Sequence, residues 1–124
     1  MTKKILIADD EQNIVISLEF LMKREGFSVC IANDGQEALD KVRSESPDLV
    51  LLDVMMPRKN GYEVCQAIRA NPDWKAVRII MLTAKGREVE REKGLALGAD
   101  DYITKPFSTQ EVVERVRELL AEAG

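Results

Sequence analysis

The 124 residues predict an α/β domain: an open, doubly wound sheet of five parallel strands in the order 2-1-3-4-5, flanked by five helices. Short β-rich runs alternate with helical periodicity along the whole chain. The first, third and fourth runs are apolar without interruption, where a half-exposed strand would alternate with polar residues. Strands of that kind are covered on both faces, the situation of a parallel sheet between two helical layers. Right-handed crossovers leave few other topologies.

The first strand is expected over "KKILIA" (Lys3–Ala8). A helix follows from about Gln12 to Glu25, with Ile14, Val15, Leu18, Leu21 and Met22 on one stripe and Gly26 as its stop. "FSVCIA" (Phe27–Ala32) is the second strand, and "NDG" turns the chain into a helix from Gly35 to about Ser44, with Ala38, Leu39 and Val42 inward. "DLVLLD" is the third strand. The loop "MMPRKNG" leads to a helix carrying Val64, Cys65 and Ile68. "VRIIMLT" (Val77–Thr83) is the fourth strand, and a polar helix around Glu88–Leu97 offers mainly Val89, Leu95 and Leu97 to the core. Thin burial makes such a segment easy to shift. "DYIT" (Asp101–Thr104) is the fifth strand, and the last helix turns Val112, Val113, Val116, Leu119 and Leu120 inward. No linker, repeat or low-complexity segment interrupts residues 1–124, which are read as one domain.

Composition narrows the chemistry. Hydrophobic residues at 45% and charged residues at 32% describe a soluble globular protein, expected in the cytoplasm. A formal charge of -4 argues against direct contact with nucleic acid. No apolar run approaches the roughly 20 residues of a membrane span, and "MTKKILIADD" lacks the apolar region of a signal peptide. Cys30 and Cys65 read as small buried hydrophobes, with a disulfide between them as the alternative. Histidine is absent, which removes His-based acid/base catalysis, Ser-His-Asp triads and most zinc sites.

In a parallel sheet the residues just past each strand gather on one edge, and ligands sit where the winding reverses, between strands one and three. Here that edge receives Asp9 and Asp10, Asp53, Thr83 and Lys105. Three converging carboxylates repel one another unless a cation neutralises them. With oxygen donors only, a small hard ion fits, Mg²⁺ before Ca²⁺. Asp53 then reads as an acceptor carboxylate that becomes an aspartyl phosphate, with the Thr83 hydroxyl and the Lys105 ammonium donating to phosphoryl oxygens. Phosphoryl transfer asks mainly for positioning and charge stabilisation, so no histidine base is needed in this chain. Taken singly, Asp9–Asp10 reads as a helix cap with a solvated neighbour, Thr83 as a strand-end hydroxyl and Lys105 as a surface charge. The functional reading belongs to the set.

The motifs "ILIADDE", "LVLLDVMMPRKNGYEV", "IIMLTA" and "GADDYITKPF" together make the chain similar to the receiver domains of two-component response regulators, of flavodoxin-like fold, along its whole length. That resemblance implies a phosphorylation switch, not an enzyme beyond slow self-dephosphorylation, that takes its phosphoryl group from a sensor histidine kinase onto Asp53. It implies Mg²⁺ held by Asp9, Asp10, Asp53 and the backbone carbonyl of Met55. It further implies a cis Lys105–Pro106 peptide, a small Ala84 leaving access to Asp53, and Tyr102 as a switch aromatic following Thr83, beside the alternative of an edge-strand tyrosine packed for burial. Receivers of the winged-helix transcription-factor branch pair when phosphorylated through the fourth helix, fifth strand and fifth helix. Arg91 with Glu111, and Asp101 with Arg115, fall where that branch carries its interface charges across a two-fold axis. Glu111 and Arg115 also stand i, i+4 on one helix and could pair with each other. Glu122 stands where that branch carries a basic residue. These residues are read either as the whole protein or as a receiver cut from a longer transcription factor, whose DNA-binding effector domain would lie outside them.

Two rival functions fit less well. A Mg²⁺-dependent phosphatase would be expected to carry a second acid two residues after its nucleophile, where Met55 stands, and a nuclease would want more basic surface than Arg58 and Lys59. A flavin carrier on this fold needs a hydroxyl- and glycine-rich phosphate loop after strand one, and "ADDEQN" would repel that phosphate.

Overall fold

The computed structural model describes residues 2–84 and 88–123; within these, the side chains of Glu88, Glu90, Glu122 and Ala123 lie outside the description, as do residues 85–87 of the expected fourth-helix segment. The elements are β1 (Lys4–Ala8), α1 (Gln12–Arg24), β2 (Ser28–Ala32), α2 (Gly35–Glu45), β3 (Leu49–Asp53), α3 (Gly61–Ala70), β4 (Arg78–Ala84), α4 (Glu88–Ala96), β5 (Asp101–Lys105) and α5 (Thr109–Ala123). All strand pairs are parallel, in the order β2-β1-β3-β4-β5. Boundaries differ from the sequence reading by a residue or so, and a short 3-10 turn at Pro72–Trp74 precedes β4, capped by Asn71, whose side chain accepts from the Asp73 N–H at 2.9 Å. No helix of the described residues is long and apolar enough to cross a membrane.

The sheet separates two apolar layers. Odd-numbered residues of β1 and β3, Ile5, Ile7, Leu49 and Leu51, pack with Ile80, Leu82 and Ile103 against Val15, Leu18 and Met22 of α1 and Val112 and Val116 of α5. Their neighbours Leu6, Val50, Leu52, Ile79 and Met81 face Ala38 and Val42 of α2 and Val64, Cys65 and Ile68 of α3. This is why the central strands carry no polar alternation: every residue of β3, Asp53 included, is buried. Both cysteines are free, Cys65 buried with its thiol pushed up to about 11 by that burial, and Cys30 half-buried on the edge strand. Val113 is also only half-buried.

Helix ends follow their sequences. Asp34 caps α2, accepting from the Glu37 N–H at 2.8 Å. Asn60 and Glu63 form a reciprocal capping box on α3, at 2.9 and 3.1 Å. Gly26, at φ 93°, reverses the chain after α1 in the left-handed region that glycine tolerates.

The fourth helix corrects the sequence reading. Val89 and Leu95, expected to face the core, are 77% and 39% exposed, while Gly94 is buried. A Cβ on Gly94 would lie 3.1 Å from Met81 Cγ, so α4 seats its glycine on the sheet and turns its larger apolar residues outward. The weak hold of this helix on the core stands, and rests on fewer side chains than expected. At the other end of the sheet Asp100 does the anchoring. Its carboxylate accepts from the Ile79 N–H and Arg69 Nη2, both at 2.8 Å, and from Arg78 Nη1 at 3.3 Å, joining α3, β4 and the approach to β5.

Gly61 opens α3 directly beneath the end of β3. Its N–H donates to the Val54 carbonyl at 2.8 Å, and a Cβ there would come within 2.4 Å of the Asp53 carbonyl oxygen. Gly61→Ala is therefore expected to destabilise the domain by about 1–3 kcal/mol, the range for overpacking a tight contact. Urea unfolding reads it, and an unchanged midpoint would show that the α3–β3 junction is looser than this contact requires.

Candidate functional site

The site grows out of strand parity. Side chains alternate across the sheet, so Asp53 at the end of β3 continues the face of Leu49 and Leu51. Asp9 follows β1 on the face of Ile5 and Ile7, and Lys105 ends β5 on the face of Ile103. Three ionisable residues thus share one edge and one face. Thr83, one step beyond the Leu82 that pairs with Asp53, falls on the opposite face beside Thr104 and is buried.

A cleft of about 300 Å³ opens at this edge between Asp10, Glu11, Asp53, Met55, Ala84 and Lys105. Asp9 is wholly buried beside it, Asp53 is 5% exposed, and Asp10 is exposed. Each of these aspartates offers a carboxylate oxygen within 4.8 Å of the other two. An all-oxygen set of this density, with one member open to solvent, fits a hard divalent cation that keeps some of its waters. Met55, whose carbonyl the resemblance nominates as a further ligand, lines the cleft, and its N–H donates to Asp53 Oδ1 at 3.4 Å.

Among the described residues lining this cleft, Lys105 is the one cation. Its Nζ lies 3.0 Å from Asp9 Oδ2, 3.2 Å from Glu11 Oε1 and 3.4 Å from Asp53 Oδ1. Burial alone would lower its affinity for a proton; the contacts with Asp9, Asp53 and Glu11 outweigh that and hold it above the usual lysine value. Asp53 shows the opposite imbalance. Burial, followed by the charge of Asp9, pushes its carboxyl up to about 7 against the pull of Lys105 and the Met55 N–H. A carboxyl so placed gains from a nearby cation, because a positive charge favours its ionised form.

Every residue expected at the strand ends arrives at this edge, and the Lys105–Pro106 peptide is cis as expected. Ala84 is exposed and lines the cleft. One participant escaped the sequence reading: Glu11, which reaches Lys105. Its signal is a glutamate directly before the first helix, at a position where serine, threonine, asparagine or aspartate normally caps.

Away from the cleft, Tyr102 is half-buried against the Met81 layer, and the Arg91 guanidinium carbon sits 4.4 Å from its ring centroid. Asp101 and Arg115, expected to meet across a two-fold axis, are joined here within one chain, Nη1 to Oδ2 at 2.6 Å. The Glu111 N–H donates to Ser108 Oγ at 3.1 Å.

A family model, the response regulator receiver domain, matches residues 5–117. Among solved structures the chain is similar to a protein of Chloroflexus aurantiacus J-10-fl assigned as a response regulator, at 37% identity over 98% of this chain and 99% of that one, with a TM-score of 0.94. The receiver domain of the Francisella response regulator 1452 shares 31% identity over 99% and 100% of the two chains, at a TM-score of 0.91. The chemotaxis response regulator CheY4 of Vibrio cholerae shares 29% over 96% and 99%, at 0.90.

The Asp53 carboxyl makes stability depend on pH in a definite direction. It holds its proton to about 7 in the folded chain, whereas an unfolded aspartate loses it near ~3.9. The proton therefore favours the folded state, and that contribution is present at low pH and lost as pH rises from the unfolded value through 7. Asp53→Asn removes the loss. Without divalent ions the variant is expected to melt above the wild type at pH 8, by up to about 4 kcal/mol in stability, and to converge with it near pH 4. A variant less stable than the wild type at pH 8 would contradict this assignment.

Proposed function

The chain belongs to the response regulator receiver domain family, and from that premise we propose that Asp53 is its phosphoryl acceptor, served by Asp9, Asp10, Thr83 and Lys105. Receiver domains of this family are phosphorylation-dependent signalling switches of two-component systems, partnered by histidine kinases and distinct from ordinary enzymes. The observation that carries the residue assignment is the buried Asp53 carboxyl, opening onto a cleft with two aspartates and one lysine in reach.

In the proposed reaction a carboxylate oxygen of Asp53 attacks phosphorus. The bond from phosphorus to the donor's histidine nitrogen breaks, its electron pair stays on the imidazole, and an acyl phosphate forms on Asp53. Lys105 donates to one phosphoryl oxygen, and Thr83 donates its hydroxyl to another. Asp9, Asp10 and Asp53, with the Met55 carbonyl, are the residues that would hold Mg²⁺. Held there, such an ion would offset the charge of the carboxylates and of the phosphoryl oxygens.

The output runs through α4, β5 and α5. Thr83 and Tyr102 sit in adjacent strands, with Thr83 opposite Thr104 and Tyr102 opposite Met81. Movement of Thr83 toward the phosphoryl group would let Tyr102 turn inward and shift α4, which little holds to the core. We assign residues 1–124 to one receiver domain acting in the cytoplasm. Its phosphorylated form dimerises through Arg91, Asp101, Glu111 and Arg115 in the manner of the winged-helix branch, serving transcription through a DNA-binding domain outside these residues. The Asp101–Arg115 bond within the chain must then exchange partners, so the dimer gains little from this pair alone, since exposed pairs contribute about 0–1 kcal/mol. Exposed Val89 and Leu95 supply apolar area beside it.

One sample tests both parts. Incubation with acetyl phosphate and Mg²⁺ is expected to give an acid-stable, base-labile adduct of phosphate mass on the wild type and none on Asp53→Asn. Wild-type adduct levels on that variant would refute the acceptor assignment. In sedimentation velocity the adduct should shift toward dimer, and Arg115→Glu should block the shift without blocking the adduct. A phosphorylated chain that stays monomeric at high concentration would remove the dimer and favour the stand-alone mode suggested by the similarity to CheY4.

A further inference from the structure

We propose that Glu11 is a positioning residue that holds Lys105 in the unphosphorylated chain and competes with an incoming phosphoryl group for its ammonium. The inference rests on the acceptor assignment of Asp53 and adds a control on how readily that site loads.

An ammonium has three N–H donors, and the three near partners of Lys105 Nζ are Asp9, Glu11 and Asp53. Asp9 and Glu11 accept hydrogen bonds from it, and a phosphoryl oxygen arriving at the ammonium competes with these partners for its charge. Asp9 and Asp53 are fixed by burial. The Glu11 side chain is 61% exposed and can turn into water, so it is the partner that yields most easily.

The helix start gives an independent reason to see Glu11 as directed at the cleft. Glu11 occupies the N-cap position of α1 in an extended conformation, φ -87° and ψ 108°, yet its side chain makes no cap hydrogen bond. Glutamate is not among the residues that cap well. Its backbone is instead pinned from the site, where Asp9 Oδ1 accepts the Glu11 N–H at 2.9 Å. Asp9 thus grips both Lys105 and the residue that shares it. The helix gains no cap from this side chain, and the contact it makes is with Lys105.

Three variants separate the contact from the charge. Glu11→Gln removes the charge and leaves only a weaker, neutral acceptor for Lys105. Glu11→Asp keeps the charge at the mouth of the cleft and loses the reach to Lys105, while supplying a residue that caps α1 well. In transfer from acetyl phosphate, the phosphorus–oxygen bond to the acetyl group breaks, acetate leaves with the electron pair, and Asp53 gains the phosphoryl group. With Mg²⁺ present, the half-saturating acetyl phosphate concentration should fall about threefold in both variants, the scale of one exposed ion pair, with the saturating rate changed less. Glu11→Asp should also melt higher than the wild type. In a Lys105→Met background the Glu11→Gln effect should vanish, because the residue through which it acts is gone. A wild type that forms no adduct overturns the acceptor assignment and this inference together. A wild type that loads normally, with Glu11→Gln and Glu11→Asp unchanged or slower, overturns the inference alone. So does an effect of Glu11→Gln that persists without Lys105, or one that Glu11→Asp fails to reproduce, since either marks the general field of the charge.

Discussion

Repulsion among carboxylates at one end of a parallel sheet is the constraint around which the rest of this domain is organised. Asp9, Asp10 and Asp53 each bring a carboxylate oxygen within 4.8 Å of the other two, Glu11 stands beside them, and the Lys105 ammonium faces the group. Nothing in folding favours such an arrangement for its own sake, because buried like charges oppose the compact state. Burial first, and the charge of Asp9 second, raise the Asp53 carboxyl, and a cation in the cleft would favour its ionised form. Positive charge entering the cleft relieves a tension already present.

The fold carries this tension because its core is untouched by it. The apolar layers on both faces of the sheet are continuous from Ile5 to Leu120, and β3 delivers Asp53 from within five buried residues. Gly61 brings the start of α3 against the Asp53 backbone, so the main chain there has no slack. The opposite holds on the output side. Gly94 lets α4 lie on Met81 with little buried side-chain area, and Arg91 covers Tyr102 from outside. A stiff strand carrying Asp53 beside a lightly held helix suits a switch: strain at one site moves the element that resists least.

How much of this could be read from the residues divides along physical lines. Strands covered on both faces announce themselves as apolar runs, and a parallel sheet gathers its strand ends, so Asp9, Asp10, Asp53, Thr83 and Lys105 could be placed together before any coordinate was known. The rotation of α4 could not. Val89, Leu95 and Leu97 outweigh a glycine in any apolar pattern, yet the close approach to Met81 selects the residue with no side chain. The Asp100 anchor also escaped the sequence reading, because it depends on backbone groups of β4 and on two arginines far away in the chain. For Asp101 and Arg115 the residues were identified and the geometry was open, since a charged pair suited to a partner chain is equally able to close on itself. Glu11 was visible only as a poor capping residue, a weak local anomaly whose meaning depends on a lysine 94 positions later.

The central claim is that the three aspartates form one cation site, and its most direct measurement is the Mg²⁺ dependence of thermal stability in the wild type and in Asp10→Asn. An ion that binds the folded cleft and not the unfolded chain must raise the melting temperature with concentration. Asp10 is the exposed member of the set and carries little of the fold, so its replacement should leave a folded domain. The account predicts a clear Mg²⁺-dependent rise for the wild type and the loss of most of it in Asp10→Asn. An equal rise in both proteins would place the ion elsewhere and contradict the account.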